Sequence, residues 1–224
     1  MRPAAGEEGM RIGIFGGTFN PVHLGHLITA EEIRQVFRLD RIVFVPSARP
    51  PHKPSPHLVA AEHRLEMVRR AIQGNPFFDL SSLEVDRHGY SYSVETVEAF
   101  ERDLGDRADL SFLLGIDAFL ELDSWHAPDR LLRLCHFIII SRPTYSFEDA
   151  RSVLSENFGI SSAEGAESIS LPGGHHLYFS EVTPIGISST LIRSRLRGGR
   201  SVKYLLPEPV ESYILSHHLY AESE

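Results

Sequence analysis

The chain has 224 residues, 42% of them apolar and 23% charged, with a formal net charge of −8. That length suits one domain of generous size whose core needs no staples. The negative balance argues against a general nucleic-acid binder, which carries a basic face, and leaves room for a local basic pocket that takes a small anion. Cys135, the single cysteine, excludes an intrachain disulfide framework and a zinc–cysteine site. Residues 1–10 lack the apolar stretch of a signal peptide. The longest strongly apolar run, Phe137–Ile140, is far too short to span a bilayer. A cytoplasmic protein is expected.

In chain order, residues 1–10 read as a loose tail and 11–224 as one domain. Arg11–Phe15 is predicted as a strand, Leu24–Phe37 as a helix, and Arg41–Val45 as a strand rich in β-branched residues, stopped by Pro46. A proline-studded loop runs from Pro46 to His57. Ala60–Ile72 has helical spacing, with Leu65, Val68 and Ile72 on one side. Phe77–Val85 reads as extended, Ser93–Leu104 as helix, Ala108–Leu114 as strand, Pro128–Leu134 as a short helix, and His136–Ser141 as a buried strand. Ser146–Phe158 is predicted helical and His176–Phe179 a last short strand. Ser161–Gly174 reads as loop. Ser189–Leu196 and Pro207–His217 close the chain as a small helical portion, about 187–220. Strands alternating with helices imply an α/β fold, a parallel sheet with helices on both faces. In such folds ligands sit beyond the carboxyl ends of the strands.

The first strand runs into "GGTFNPVHLGH", Gly16 to His26. A glycine-rich turn between a first strand and a first helix suits a phosphate, because glycine lets the backbone come close and a helix start offers N–H groups. This turn has neither common form: it lacks Gly-x-Gly-x-x-Gly and the P-loop Gly-Lys-Ser/Thr. It ends instead in His23 and His26, which share a face on a helical turn, with Gly25 between them expected to leave that face open. Two imidazoles there can donate to phosphate oxygens. On spacing alone the pair also fits two surface residues or two metal ligands, though no third ligand is spaced nearby. Far downstream, "ISSTLIR", Ile187 to Arg193, opens a late helix with hydroxyl residues.

These two motifs, in this order, resemble the signatures of the HxGH nucleotidyltransferases, whose fold is Rossmann-like. The resemblance implies transfer of a nucleotidyl group: an oxygen of the acceptor attacks the α-phosphorus of a nucleoside triphosphate and pyrophosphate leaves. An attacking phosphate is already an anion, so neither a strong base nor a covalent intermediate is required, and positioning with charge stabilisation can carry the reaction. By resemblance, His23 and His26 contact the triphosphate near the reacting phosphorus, with Gly16, Gly17, Thr18, Phe19 and Asn20 forming the turn. Ile187, Ser188, Ser189, Thr190 and Arg193 would hold the β- and γ-phosphates. Arg195, Arg197 and Arg200 read equally well as a solvated basic helix. Mg²⁺ would travel with ATP on phosphate oxygens and water, and no protein metal ligand is named.

Further segments narrow the family. "PSARPPHK" resembles the proline-rich loop of the bacterial nicotinate-nucleotide adenylyltransferases, where stiffening prolines would present His52 and Lys53 to a phosphate. "SSLEVDRHGYSYSVETVEAF" and "LLGIDAFLELDSWHAPDRLL" resemble two more segments of that family. They imply Gly115 and Asp117 at the nucleotide, and Tyr92, Ser93, Trp125 and His126 at the nicotinate end. Trp125 would stack on the ring, and main-chain N–H groups of Ser93 and His126 would receive its carboxylate. From the residues alone, Trp125 reads as core just as readily, and a helix cap is the lesser alternative for Asp117. Arg142, in "SRP", is expected on the adenine side, and the resemblance runs through most of Ile12 to Tyr213. The implied partners are ATP and nicotinate mononucleotide, with neither nucleic acid nor membrane; a homo-oligomer is left open. A pantetheine-phosphate adenylyltransferase, a cytidylyltransferase, an enzyme equally active on nicotinamide mononucleotide, and a nucleotide sensor without catalysis are the rival readings.

Overall fold

A computed structural model describes residues 9–50, 58–87, 89–161, 163 and 165–221. In chain order the elements are β1 (Met10–Gly17), α1 (Leu24–Phe37), β2 (Arg41–Pro46), α2 (Ala61–Ile72), β3 (Phe78–Leu80), α3 (Leu83–Asp86) and α4 (Ser93–Leu104). Then come β4 (Ala108–Gly115), α5 (Ile116–Phe119), α6 (Pro128–Leu131), β5 (His136–Ile140), α7 (Phe147–Phe158), β6 (Ser168–Ser170), β7 (His176–Ser180), α8 (Ser189–Arg197) and α9 (Glu208–Ser216). The strands form one seven-stranded sheet in the order β3-β2-β1-β4-β5-β7-β6. Among the described residues no helix is long and apolar enough to cross a membrane.

The chain packs as two compact units, each drawn from three segments. The first holds the described residues of Met1–Phe15, Ile33–Ile42 and Tyr92–Val182. Its strands read as unbroken apolar runs because both faces are covered: Ile12, Ile14, Leu110, Phe112, Leu113, Leu114 and Phe137–Ile140 are all buried. β4 pairs in parallel with β1 (Ile12↔Leu110, Ile14↔Phe112) and with β5, which pairs in parallel with β7. Gly13 is required by close packing: a Cβ there would lie 2.6 Å from the Ile42 side chain and 2.8 Å from that of Leu39. α7 starts where Ser146 and Asp149 form a reciprocal capping box and stops at Gly159, whose φ of 65° is the left-handed exit glycine favours.

The second unit holds the described residues of Gly16–Glu32, Val43–Ser91 and Thr183–Glu224. α2 and α9 pack against each other in it. Val210, Tyr213 and Ile214 turn inward, and the Tyr213 hydroxyl meets His63 Nδ1 at 2.8 Å.

Three expectations need correcting. Phe77–Val85 is not extended throughout: β3 ends at Leu80 and α3 begins at Leu83, its first turn helped by Leu83 N–H donating to Ser81 Oγ (3.3 Å). Within the segment read as loop, Ser168–Ser170 forms β6, antiparallel to β7 (Ile169↔Leu177), so that edge departs from the parallel pairing of β1, β4, β5 and β7. Three residues carry too little periodicity to be seen alone; the ladder with β7 makes them a strand. The buried stripe of α2 runs through Arg64, Met67, Val68 and Ile72 rather than through Leu65.

Candidate active site

The first signature leaves β1 and folds back on itself. Gly17 has no Cβ because the Phe19 ring lies over it: a Cβ would come within 2.9 Å of the ring. Phe19 is buried with a positive φ of 46°, and its ring meets His26 edge-on at 5.1 Å and Phe44 at 5.7 Å. His23 caps α1, its carbonyl accepting from His26 N–H (3.0 Å). The two imidazoles stack, centroids 3.7 Å apart at 29°. The His23 N–H donates to His26 Nδ1 (3.2 Å), so in the neutral ring the His26 proton sits on Nε2, ready to donate.

Two features differ from the sequence reading. Gly25 does not leave an open face; a Cβ would stand 3.0 Å from His23 Nδ1 and 3.6 Å from the Ile187 carbonyl. Its role is to let the His23 ring lie flat against the helix start. Nor does the start of α1 offer all of its amides, since Leu24 N–H donates to the Leu205 carbonyl (3.1 Å).

The second signature is joined to the first within this unit. Ser188 caps α8, its Oγ accepting from Leu191 N–H (3.1 Å). The Ser189 hydroxyl donates to the Pro21 carbonyl (2.8 Å). Arg193 donates from Nη1 to the Asn20 carbonyl (2.8 Å) and from Nη2 to Thr190 Oγ1 (3.2 Å). Thr190 and Ser188 are exposed, Arg193 and Ile187 half-buried. The hydroxyls expected on phosphate thus also work as cap and tether. The start of a helix still presents main-chain N–H groups to an anion.

Behind this turn lies a residue the sequence reading missed. Arg64 is fully buried and gives all its hydrogen bonds shown here to main-chain carbonyls: Nε to Val59 (2.8 Å), Nη1 to Thr18 (2.8 Å) and Ser47, and Nη2 to Ala48 (2.9 Å). Burial lowers its pKa, and the charge is kept by these acceptors. The signal was present: Arg64 occupies a core position of the α2 stripe, where a charged residue needs a buried purpose. His52 and Lys53 lie outside the described residues. Ser47, Ala48 and Val59, which Arg64 holds, flank the segment that carries them.

The remaining predicted residues lie in the first unit. Gly115 ends β4 and caps α5, so Asp117 sits inside the first turn and makes no cap. Its carboxylate folds back over Gly115, where a Cβ would be 2.5 Å from Oδ1, and pairs with Arg142 Nε at 3.6 Å. Both Asp117 and Arg142 are exposed. Trp125 is half-buried rather than core, edge-on to Phe112 at 6.5 Å. His126 lies over Tyr92, ring centroids 4.4 Å apart. Ser93 opens α4, where a main-chain N–H has no partner inside the helix. Among the described residues no group of three or more His, Cys, Asp or Glu side chains converges as a metal site.

Comparison with known proteins agrees with the fold and the family. The cytidylyltransferase-like family model matches residues 14–195. A relative from Thermoanaerobacter sp. (strain X514), named as a nicotinate-nucleotide adenylyltransferase, is 41% identical over 97% of this chain and 98% of its own. One from Moorella thermoacetica with the same name is 43% identical over 94% of this chain and 91% of its own. Among solved structures, the Plasmodium falciparum nicotinic acid mononucleotide adenylyltransferase complexed with NaAD superposes with a TM-score of 0.71 at 20% identity, covering 94% of this chain and 97% of that one. That likeness establishes the Rossmann-like nucleotidyltransferase fold. The chain belongs to the cytidylyltransferase-like family and, within it, to the nicotinate-nucleotide adenylyltransferases.

Proposed function

We propose that the protein transfers the adenylyl group of ATP to nicotinate mononucleotide, giving deamido-NAD and pyrophosphate for NAD synthesis. The observation that carries this reading is the junction of the two signatures: Ser189 and Arg193 bind the carbonyls of Pro21 and Asn20, just before the stacked pair His23 and His26. One α-phosphorus and one leaving pyrophosphate need such a paired arrangement.

The acceptor phosphate attacks the α-phosphorus in line and pyrophosphate leaves from the opposite side, without a covalent enzyme intermediate. His26 donates from Nε2 to the oxygens on which charge develops, and His23 supports its ring. Gly16, Gly17, Thr18, Phe19 and Asn20 shape the turn. Ile187, Ser188, Ser189, Thr190 and Arg193 bind the outer phosphates, with Lys53 adding charge. Mg²⁺ enters as part of the ATP substrate, held by phosphate oxygens and water. Gly115, Asp117 and Arg142 receive the nucleoside. Trp125 stacks on the nicotinate ring, Tyr92 and His52 flank the mononucleotide, and the main-chain N–H groups of Ser93 and His126 take the carboxylate that distinguishes nicotinate from nicotinamide. The proposed setting is the cytoplasm.

Purified protein with Mg²⁺ and ATP is to be offered nicotinate mononucleotide, nicotinamide mononucleotide and phosphopantetheine separately, and pyrophosphate release measured. Strong release with the nicotinate compound alone is expected. Equal release with both pyridine nucleotides would discard the carboxylate-reading site. Release only with phosphopantetheine, or none, would overturn the proposal.

A further inference from the structure

We propose that Tyr220 is a positioning residue for the phosphate-binding turn, acting through the side chain of Asn20. This inference rests on the adenylyltransferase reading above and extends it to a residue outside both signatures.

Asn20 is buried and held at both ends. Its carbonyl accepts from Arg193 Nη1 (2.8 Å). Its Oδ1 accepts from Val59 N–H at 3.3 Å and from the Tyr220 hydroxyl at 2.8 Å. The second of these bonds is the shorter. The main chain after α9 is shaped to deliver it. His218 and Tyr220 both take left-handed backbone, φ 50° and 64°, which residues other than glycine adopt only when the surroundings require it. Leu219 N–H closes the turn on the Ile214 carbonyl (3.0 Å). Burial pushes the Tyr220 phenol up, against the pull of the Arg64 and Arg193 charges, so it stays protonated and remains the donor.

The chemistry follows from where Asn20 stands. Pro21 follows it, and the Pro21 carbonyl holds Ser189; two residues beyond is His23. A turn pinned at Asn20 fixes the path into the histidine pair and the seat of α8 together. Without the phenol, Oδ1 loses the shorter of these two bonds, and the turn can leave the geometry that ATP requires. A misplacement of this kind costs rate without unfolding anything.

The test uses the full chain. Tyr220→Phe deletes one oxygen and keeps the ring. We expect kcat/KM for ATP to fall about three- to tenfold, as loss of one neutral hydrogen bond does. KM for nicotinate mononucleotide should stay within about twofold of wild type. On top of Asn20→Ala, Tyr220→Phe should add nothing further, because both remove the same link. Leu154→Ala is the control: it truncates a fully buried side chain of the first unit, leaves Tyr220 and its segment untouched, and should lower the melting temperature without the ATP-specific loss. Wild-type kinetics in Tyr220→Phe, full additivity with Asn20→Ala, or the same ATP-specific loss in Leu154→Ala would each overturn the proposal. Affinity for α,β-methylene-ATP, measured by calorimetry without any acceptor, separates the two readings. If wild type turns over no nicotinate mononucleotide, the functional reading falls, and the Tyr220–Asn20 coupling in analogue affinity still decides this one.

Discussion

His26 has its tautomer chosen by the main chain, since the His23 N–H donates into Nδ1 at 3.2 Å. A ring fixed with its proton on Nε2 is a preorganised donor, and such donors matter most where charge appears only in the transition state. His26→Ala is therefore expected to lose about two to three orders of magnitude in kcat with an unchanged melting curve; a folded variant within a few-fold of wild type would remove His26 from that role. Gly25→Ala tests the stack itself. Its Cβ would press on His23 at 3.0 Å, so the imidazole has to move and kcat should fall, by about tenfold, in steady-state assays. Trp125 is half-buried, unlike a core tryptophan. Trp125→Ala should raise KM for the mononucleotide far more than for ATP, and equal rises would mean packing alone.

At the scale of elements, α2 does more than cover the core. It carries Arg64 to four carbonyls belonging to Thr18, Ser47, Ala48 and Val59, so one side chain organises several stretches of irregular backbone. Arg64→Leu fits the space but strands those acceptors in a buried site. We expect a loss of about 3–5 kcal/mol in urea unfolding, the sum over several buried carbonyls that each lose a donor at about 1–3 kcal/mol. Arg64→Lys should not restore it, because one ammonium cannot reach acceptors spread around a planar fork. Elements with strong patterns were legible beforehand: α1 and α4 have their expected limits, as apolar periodicity and polar boundaries specify them locally. β6 and the break between β3 and α3 were not, because short segments take their conformation from a partner strand or a local cap.

At the scale of the molecule, acid should be the destabilising direction. The Asp109 carboxyl is held below its ordinary range, chiefly by the hydrogen bond from His136, whose Nε2 stands 3.1 Å from Oδ1. Burial, helped by the neighbouring His136, lowers the pKa of His175. The unfolded chain then takes the His175 proton first as pH drops below about 6.5, and stability begins to fall there. The contribution of Asp109 is full above about pH 4 and is lost as pH falls through its lowered folded value. Melting temperature should thus be level between pH 8 and 7 and decline below; His175→Gln should flatten the upper part of that decline, and Asp109→Asn the lower. The chain's sequence by itself determined the alternation of strands and helices, both signatures and the family, because apolar periodicity and adjacent motif residues are local properties. Only the tertiary structure decided that Gly25 makes room for His23, that Ser189 and Arg193 tether the first signature, and that Arg64 and Tyr220 hold its turn from behind. Those contacts join residues up to 200 positions apart, and no local pattern records which buried donor will meet which buried acceptor.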